Sequence, residues 1–344
     1  MMKKFRFYFK IFLISLLVIL ITYIIFNYSL VQYGFSQLKG QLSIINNTRP
    51  IEEMLNDASV PDSIKKQLTY IDEVKKFAID SLGLKASKNY TTYFDQHNKP
   101  VLWVLTASDP YKIKAFEWNF PFLGSVSYKG YFDFENGKEA EKEMKDKGYD
   151  TDFDDVSAWS TLGWFKDPVL SSMLFRGKGQ LAELIIHEMT HATLYLKSNV
   201  NLNENLASVC GEQGAARFLE AKYGGDSKEL KDYLYHKEDY ILFSKHMLRG
   251  THLLDSLYQS INDSVVIYKK TVKMKMINEI VFSLDTISFH FPHTFGAVYK
   301  KHLPNNAYFL NFIRYDAQKE KMKKDLMDKF KGNIRRYIDS LRDS

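Results

Sequence analysis

The chain has 344 residues, enough for one large domain or two modest ones, and its 45% hydrophobic and 15% aromatic residues can supply a sizeable core. Charged residues make up 26% with a net charge of +6, and glycine (17) and proline (8) are scarce, which excludes disordered and repeat classes. The single cysteine, Cys210, excludes an intramolecular disulfide and leaves the redox compartment open.

Positive charge gathers at the N-terminus, where Lys3, Lys4, Arg6 and Lys10 precede the uncharged run IFLISLLVILITYIIF (11–26), whose apolar character extends to Val31. At about 1.5 Å per residue, the stretch from Ile11 to Val31 spans roughly 30 Å, a bilayer core. The pattern predicts a transmembrane anchor over 11–31. The basic tail 1–10 is kept in the cytoplasm by the positive-inside rule, and residues 32–344 form an extracytoplasmic domain on the periplasmic side of a single-pass inner-membrane protein. The segment after the run, NYSLVQYG, lacks the small-x-small pattern of a cleaved signal, and no cysteine follows it for lipid attachment.

Residues 33–85 read as helical, with Leu38, Leu42 and Ile45 at helical spacing. A helix start carrying Pro50 follows, then a helix from Pro61-Asp62 to about Leu82 that Gly83 stops. VLWVLTAS (101–108) predicts a strand, and SVSYKGYFDF (125–134) a second, alternating around Tyr128 and Tyr131. A charged helix over 137–148 ends at Gly148, and VSAWSTLGWF (156–165) is extended before a turn at Asp167-Pro168. From Gly179 the chain reads as helical almost to its end, with breaks at Gly224-Gly225, Gly250, Pro292 and Pro304. The basic stretch from Lys319 to Arg336 reads as one amphipathic helix, with Met322, Leu326, Phe330, Ile334, Tyr337 and Leu341 on its apolar face. No nucleic-acid motif accompanies it, so a solvated basic face is expected and no nucleic-acid partner.

The segment LAELIIHEMTHATLYL (181–196) carries the chemistry. His187 and His191 stand four apart, so on a helix they share one face and can bind one zinc ion without strain. Glu188 projects beside them as a general base. The flanking residues are apolar or small, so the helix is buried, and buried imidazoles need partners. A catalytic zinc has three protein ligands and an open position for water. The loop LKSNVNLN (196–203) leads to a second helix, with Asn203 as its expected cap and Glu204 in its first turn; a short loop packs the two helices antiparallel and returns Glu204 to the histidine face. Glu212, Glu220 and Asp226 are the other acidic options for the third ligand, Glu212 first among them. Ser208, one turn after Glu204, could brace a ligand, and Cys210 reads as a small buried residue. His290 and His293 are separated by a proline and read as loop residues.

These residues resemble the bacterial putative aminopeptidase family of H-E-x-x-H zinc proteins. The likeness includes YGFSQLKGQLSII and RPIEEML (33–55), FPFLGSVSYKGYFD (120–133), GYDTDFDDVSAWSTLGWFKDPVL (148–170), IIHEMTHATLYLK, NENLAS and LPNNAYFLNFIRYD (303–316). Relatives often carry a lipid-anchor cysteine ahead of the region matching YGFSQLKGQL, which this chain lacks. The resemblance implies metallopeptidase activity with His187, His191 and Glu188 in the roles given above. The fold expected is α+β, mainly α: an N-terminal transmembrane helix, a small mixed α/β portion with a few strands, then a helical zincin-like portion. Exopeptidase specificity is carried by the resemblance alone, because the chain lacks the G-x-M-E-N motif by which one large aminopeptidase family holds a free amino terminus.

The expected reaction is hydrolysis of a peptide or protein substrate by zinc-activated water, with Glu188 passing the proton to the leaving amine. Val156 to Phe165 offers an edge strand for substrate backbone. Tyr131 and Tyr315 come first, ahead of Tyr128 and His293, as donors to the tetrahedral oxyanion. A zinc-braced, non-catalytic membrane scaffold is the alternative; an intact Glu188 argues against it, since a structural metal has no use for a base.

Overall fold

The computed structural model describes residues 2–120, 124–155, 166–196, 199–292, 294–295, 299, 302–314 and 317–342. It is mostly helical, with three small sheets. Helix α1 (Met2–Phe26) contains the one stretch among the described residues that is long and apolar enough to cross a membrane, the 22 residues Phe5–Phe26, with Phe5, Phe12, Leu17 and Phe26 among its exposed side chains. This stretch overlaps the 11–31 expected from the sequence; α1 ends at Phe26, and residues 28–31 open α2 (Tyr28–Asn46). The junction is a single residue: Asn27 N–H donates to Tyr23 O and Val31 N–H donates to Asn27 O. On α2, the Tyr33 hydroxyl and Gln37 Nε2 both donate to Gly130 O, at 2.8 and 3.0 Å, fastening the helix to the body.

Strand β1 (Arg49–Pro50) leads into α3 (Ile51–Asn56) and α4 (Asp62–Asp80), and the chain turns at Gly83 with φ 72°. β2 (Thr92–Phe94) pairs antiparallel with β1 and parallel with β8 (Val169–Leu170). β3 (Trp103–Ser108) is the centre of a second sheet, flanked antiparallel by β6 (Lys129–Tyr131) and β7 (Asp150–Asp155). β4 (Trp118–Phe120) and β5 (Gly124–Val126) pair antiparallel, and the strand expected over 125–134 is two short ones, β5 and β6. The charged helix is α5 (Phe134–Asp146), which starts earlier than its sequence suggests because the Asp133 side chain caps it by accepting from Asn136 N–H. Residues 156–165 lie outside the described residues.

Five long or medium helices follow: α6 (Lys178–Thr193), α7 (Val200–Tyr223), α8 (Lys228–Ser260), α9 (Val266–Phe282) and α10 (Asn306–Arg314). Gly224, at φ 94°, ends α7 as its spacing implies. Gly250 does not break the chain; it sits buried inside the 33-residue α8, where a Cβ would come within 2.7 Å of Ile280 Cγ2 on α9. It serves close helix packing, not chain reversal. The amphipathic stretch 319–336 is likewise two helices, α11 (Ala317–Asp328) and α12 (Ile334–Arg342), because Lys331 and Gly332 take positive φ between them. Met322, Leu326, Ile334 and Tyr337 still point to one core.

That main core unites Leu68, Ile71 and Val74 of α4 with Leu181, Ile185 and Met189 of α6 and Leu206, Cys210 and Leu219 of α7. A second core packs Phe243, Met247 and Leu254 of α8 against Ile277 and Val281 of α9 and Phe309 of α10. The small sheet has its own, around Leu105, Ala107, Tyr131 and Met144. Replacing Gly250 by Leu should overpack the α8–α9 contact and lower unfolding free energy by about 1–3 kcal/mol, despite leucine's better helix propensity. Urea unfolding of the two proteins checks this, and equal midpoints would refute the close-packing role.

Candidate metal centre

Helix α6 has a divided surface. Leu181, Ala182, Ile185, Ile186 and Met189 are buried in the main core, while Glu183, His187 and His191 recur every four residues on a different face. Against that face lies α7, antiparallel to α6. Gly211 makes the approach possible: a Cβ there would stand 2.9 Å from Glu183 O and 3.3 Å from His187 Cβ.

The loop between the helices is held by Asn203, buried at 1% exposure, whose side chain accepts from Leu196 N–H and donates to Leu196 O, both at 2.8 Å. Asn203 is thus not the helix cap. The cap is Asn199, whose side chain accepts from Leu202 N–H, so α7 begins earlier and Glu204 falls in its second turn. The sequence offers two asparagines one turn apart; the first caps the helix and the second clamps the exit of α6 beside Glu204.

Glu204 does meet the histidines. Its Oε2 is 3.4 Å from His187 Nε2 and its Oε1 is 3.4 Å from His191 Nε2, while the two Nε2 atoms are 3.2 Å apart. The three side chains form a group that could hold a metal ion. The spacing itself tests the fit: tetrahedral coordination with arms of about 2.0–2.1 Å puts neighbouring ligand atoms roughly 3.3 Å apart. The two imidazole Nε2 atoms stand close to that edge length, a different oxygen of the Glu204 carboxylate faces each of them, and the donor set of two imidazoles and one carboxylate suits zinc. His191 Nδ1 is buried with no hydrogen-bond partner among the described residues.

Burial lowers the affinity of the His187 imidazole for its proton, but the hydrogen bond to Glu204 and the charges of Glu188, Glu204 and Glu183 outweigh it, and its pKa stands above the ordinary value. Burial raises Glu204, yet its bonds to both histidines and their charges bring it down to about 2. Glu188 is buried at 8% exposure, and its charge reaches both His187 and Tyr90.

The other acidic options are committed elsewhere. Glu212 accepts from Lys237 and Lys319, each at 2.6 Å, and Lys237 also bonds Glu183 at 2.9 Å. Glu220 is exposed and Asp226 pairs with Lys231 on the surface. Cys210 is fully buried, and burial pushes its thiol up to about 12, which suits a packed residue and not a ligand. Ser208 lies inside α7, one turn after Glu204, and is partly exposed. Tyr131 belongs to the core of the small sheet, its ring edge-on to Tyr33, and Tyr128 is exposed. His290 donates its backbone N–H to Asp239, pairs with Glu238 at 2.7 Å and stacks on Tyr235. Tyr315 and His293 lie outside the described residues.

In the metal-free protein the triad should set a pH optimum of stability. His187 folds with a raised pKa, so its contribution is full below about pH 6.5 and is lost as pH rises through the folded value. Glu204 folds with a lowered pKa, so its contribution is full above about pH 4.5 and is lost as pH falls toward about 2. Urea unfolding of chelator-treated protein should therefore give its highest midpoint between about pH 4.5 and 6.5 and decline toward pH 8. Glu204→Gln should flatten the alkaline decline; an unchanged slope would show that the pair is uncoupled.

The family model described as putative aminopeptidase matches residues 32–343. No curated protein and no solved structure matches the chain. The matched stretch starts just beyond α1 and takes in α6, α7 and all three donors, and the chain belongs to the putative aminopeptidase family.

Proposed function

We propose that the protein is a membrane-anchored zinc peptidase, with His187, His191 and Glu204 as the metal ligands and Glu188 as the general base. The observation that carries this reading is the convergence of two Nε2 atoms of α6, 3.2 Å apart, with the Glu204 carboxylate of α7, which faces both, beside a buried glutamate that follows the first histidine. Membership of the family supports a hydrolase acting on peptide bonds.

Zinc bound there supplies Lewis acidity, lowering the pKa of a coordinated water and polarising a carbonyl. The chain does the rest. The α6–α7 contact fixes the histidine rings before any ligand arrives, and the Asn203 clamp fixes the start of the helix that carries Glu204. Glu188 takes the proton of the attacking water and returns it to the leaving amine as the peptide C–N bond breaks. Its burial removes competing water and sharpens its effect on charge that develops in the site. The membrane part of the proposal rests on Phe5–Phe26, an apolar helix with most of its described side chains exposed and with lysines before it. Anchoring places residues 32–344 outside the cytoplasm by the positive-inside rule.

Full-length protein in detergent, assayed on a mixed peptide library with its metal quantified, tests the chemistry. Glu188→Gln should keep about one zinc per chain and lose roughly 10²–10⁴-fold in turnover, whereas His187→Ala should lose the metal. Wild type that holds zinc and cleaves nothing would favour the scaffold reading, and wild type without metal would refute the centre. Deleting residues 5–26 should move the protein from the carbonate-resistant membrane fraction to the soluble one; retention would refute the anchor.

A further inference from the structure

The turn between α8 and α9 carries its apolar residues outward. Val265, Val266, Ile267 and Tyr268 stand in succession and are 73%, 66%, 81% and 52% exposed. Scattered exposed apolar side chains are ordinary on a water-facing surface, but an unbroken run at the tip of a helical hairpin is not, because such turns take polar residues. The turn has a firm base. Ile261 is buried, Ser264 N–H donates to Ile261 O at 2.9 Å, and Lys269 Nζ donates to Asn262 O across the turn.

Strand register fixes the side of the body on which this tip lies. Tyr33 and Gln37 of α2 both donate to Gly130 O of β6, and Gly40, further along α2, packs against Phe132. β6 therefore climbs with α2, away from the apolar span that ends at Phe26. β3 is antiparallel to β6 and comes back: from Val104, opposite Gly130, it runs to Ser108. Gly130 is level with about residue 35 of α2, roughly 13 Å beyond Phe26, and β3 returns about 13 Å between Val104 and Ser108. Ser108 thus stands near the level at which the span ends. The tip lies past it. α10 starts at this end, where Asn306 Nδ2 donates to Asp109 O, and lies along β3 and β7. Thr251 of α8 donates to Phe309 O and Tyr258 donates to Asn306 Oδ1, so α8 descends toward the same end and its turn continues beyond.

Lysines rim that end. Lys112 and Lys114 are exposed in the loop after β3, Lys270 is exposed just behind the apolar run, and Lys269 closes the turn. Against them stand Asp263 on the tip and Asp109, whose carboxylate accepts from Tyr111 N–H.

We propose that the α8–α9 turn is a second membrane contact: Val265, Val266, Ile267 and Tyr268 enter the interfacial layer of the bilayer that α1 crosses, and the lysines meet its anionic headgroups. The inference rests on the anchored reading, which supplies the bilayer. Apolar side chains backed by basic ones hold a protein on a membrane without spanning it, sinking about 5–10 Å into the boundary, and nearby lysines add attraction to anionic lipid. Held at α1 and at this turn, the body cannot rotate about its anchor, and one face of it is kept toward the lipid.

The test uses full-length protein in phosphatidylglycerol vesicles, with a nitrobenzoxadiazole group on one introduced thiol. The thiol is placed by Ile267→Cys, by Asp226→Cys before the other end of α8, or by Phe12→Cys in the span; Cys210 is buried, and wild type taken through the labelling is the blank. Doxyl groups on the acyl chains should remove roughly half of the emission from Ile267→Cys and little from Asp226→Cys. Quenching of Phe12→Cys without quenching of Ile267→Cys would overturn the tip and leave the anchor standing. Quenching of neither would remove the anchored reading and the tip with it. A blue-shifted emission from Ile267→Cys that doxyl lipid does not reduce would mean that a second copy of the chain covers the turn, and would also overturn the proposal. Phosphatidylcholine in place of phosphatidylglycerol should weaken the quenching of Ile267→Cys; equal quenching would overturn the role given to the lysines.

Discussion

The site depends on how closely α6 and α7 lie. Three donors come from two helices, and an ångström of separation would move Glu204 out of range of both imidazoles. Gly211 has no Cβ where the backbone oxygen of Glu183 and the Cβ of His187 stand, so the helices meet almost backbone to side chain. Packing of Ile185, Met189, Leu206 and Cys210 in the main core then holds the pair in register. Because interiors are close-packed, such a contact has few ways to relax. The candidate metal site is in this sense a by-product of helix packing: its three side chains stand together because the core beside them is packed.

The same interface explains how the carboxylates divide their roles. Glu183, Glu188, Glu204 and Glu212 all stand on α6 or α7. Lys237 of α8 and Lys319 of α11 take up Glu183 and Glu212 in a network that ties four helices together. Tyr233 adds a hydrogen bond to Glu183 at 2.9 Å. Glu204 is left facing two histidines. Ion pairing elsewhere thus occupies Lys237 and Lys319 and leaves the Glu204 carboxylate to the histidines.

Local patterns were legible in the sequence to the extent that they depend on chain-local physics. The i, i+4 spacing of His187 and His191 forces a shared face, and a short loop forces antiparallel return, so Glu204 could be named before any coordinates. What was not legible were features set by a distant partner. Gly250 reads as a break until Ile280 is seen against it; Asn203 reads as a cap until Leu196 is seen bonded to it from both sides. The helix expected over 319–336 keeps its apolar face but is cut in two by positive φ at Lys331, a conformation its side chain does not advertise.

The junction at Asn27 bears on where such an enzyme could work. Helical hydrogen bonding continues through it, from Tyr23 O to Val31 N–H by way of Asn27, and the body is already fastened at Tyr33, seven residues beyond Phe26. At about 1.5 Å per residue that leaves roughly 10 Å of stalk. On the anchored reading the body cannot swing out on a tether; it sits low over the lipid headgroups. Its search for substrate would then be confined to a thin layer at the bilayer surface, favouring chains that emerge from, or lie along, the same membrane over peptides free in the bulk.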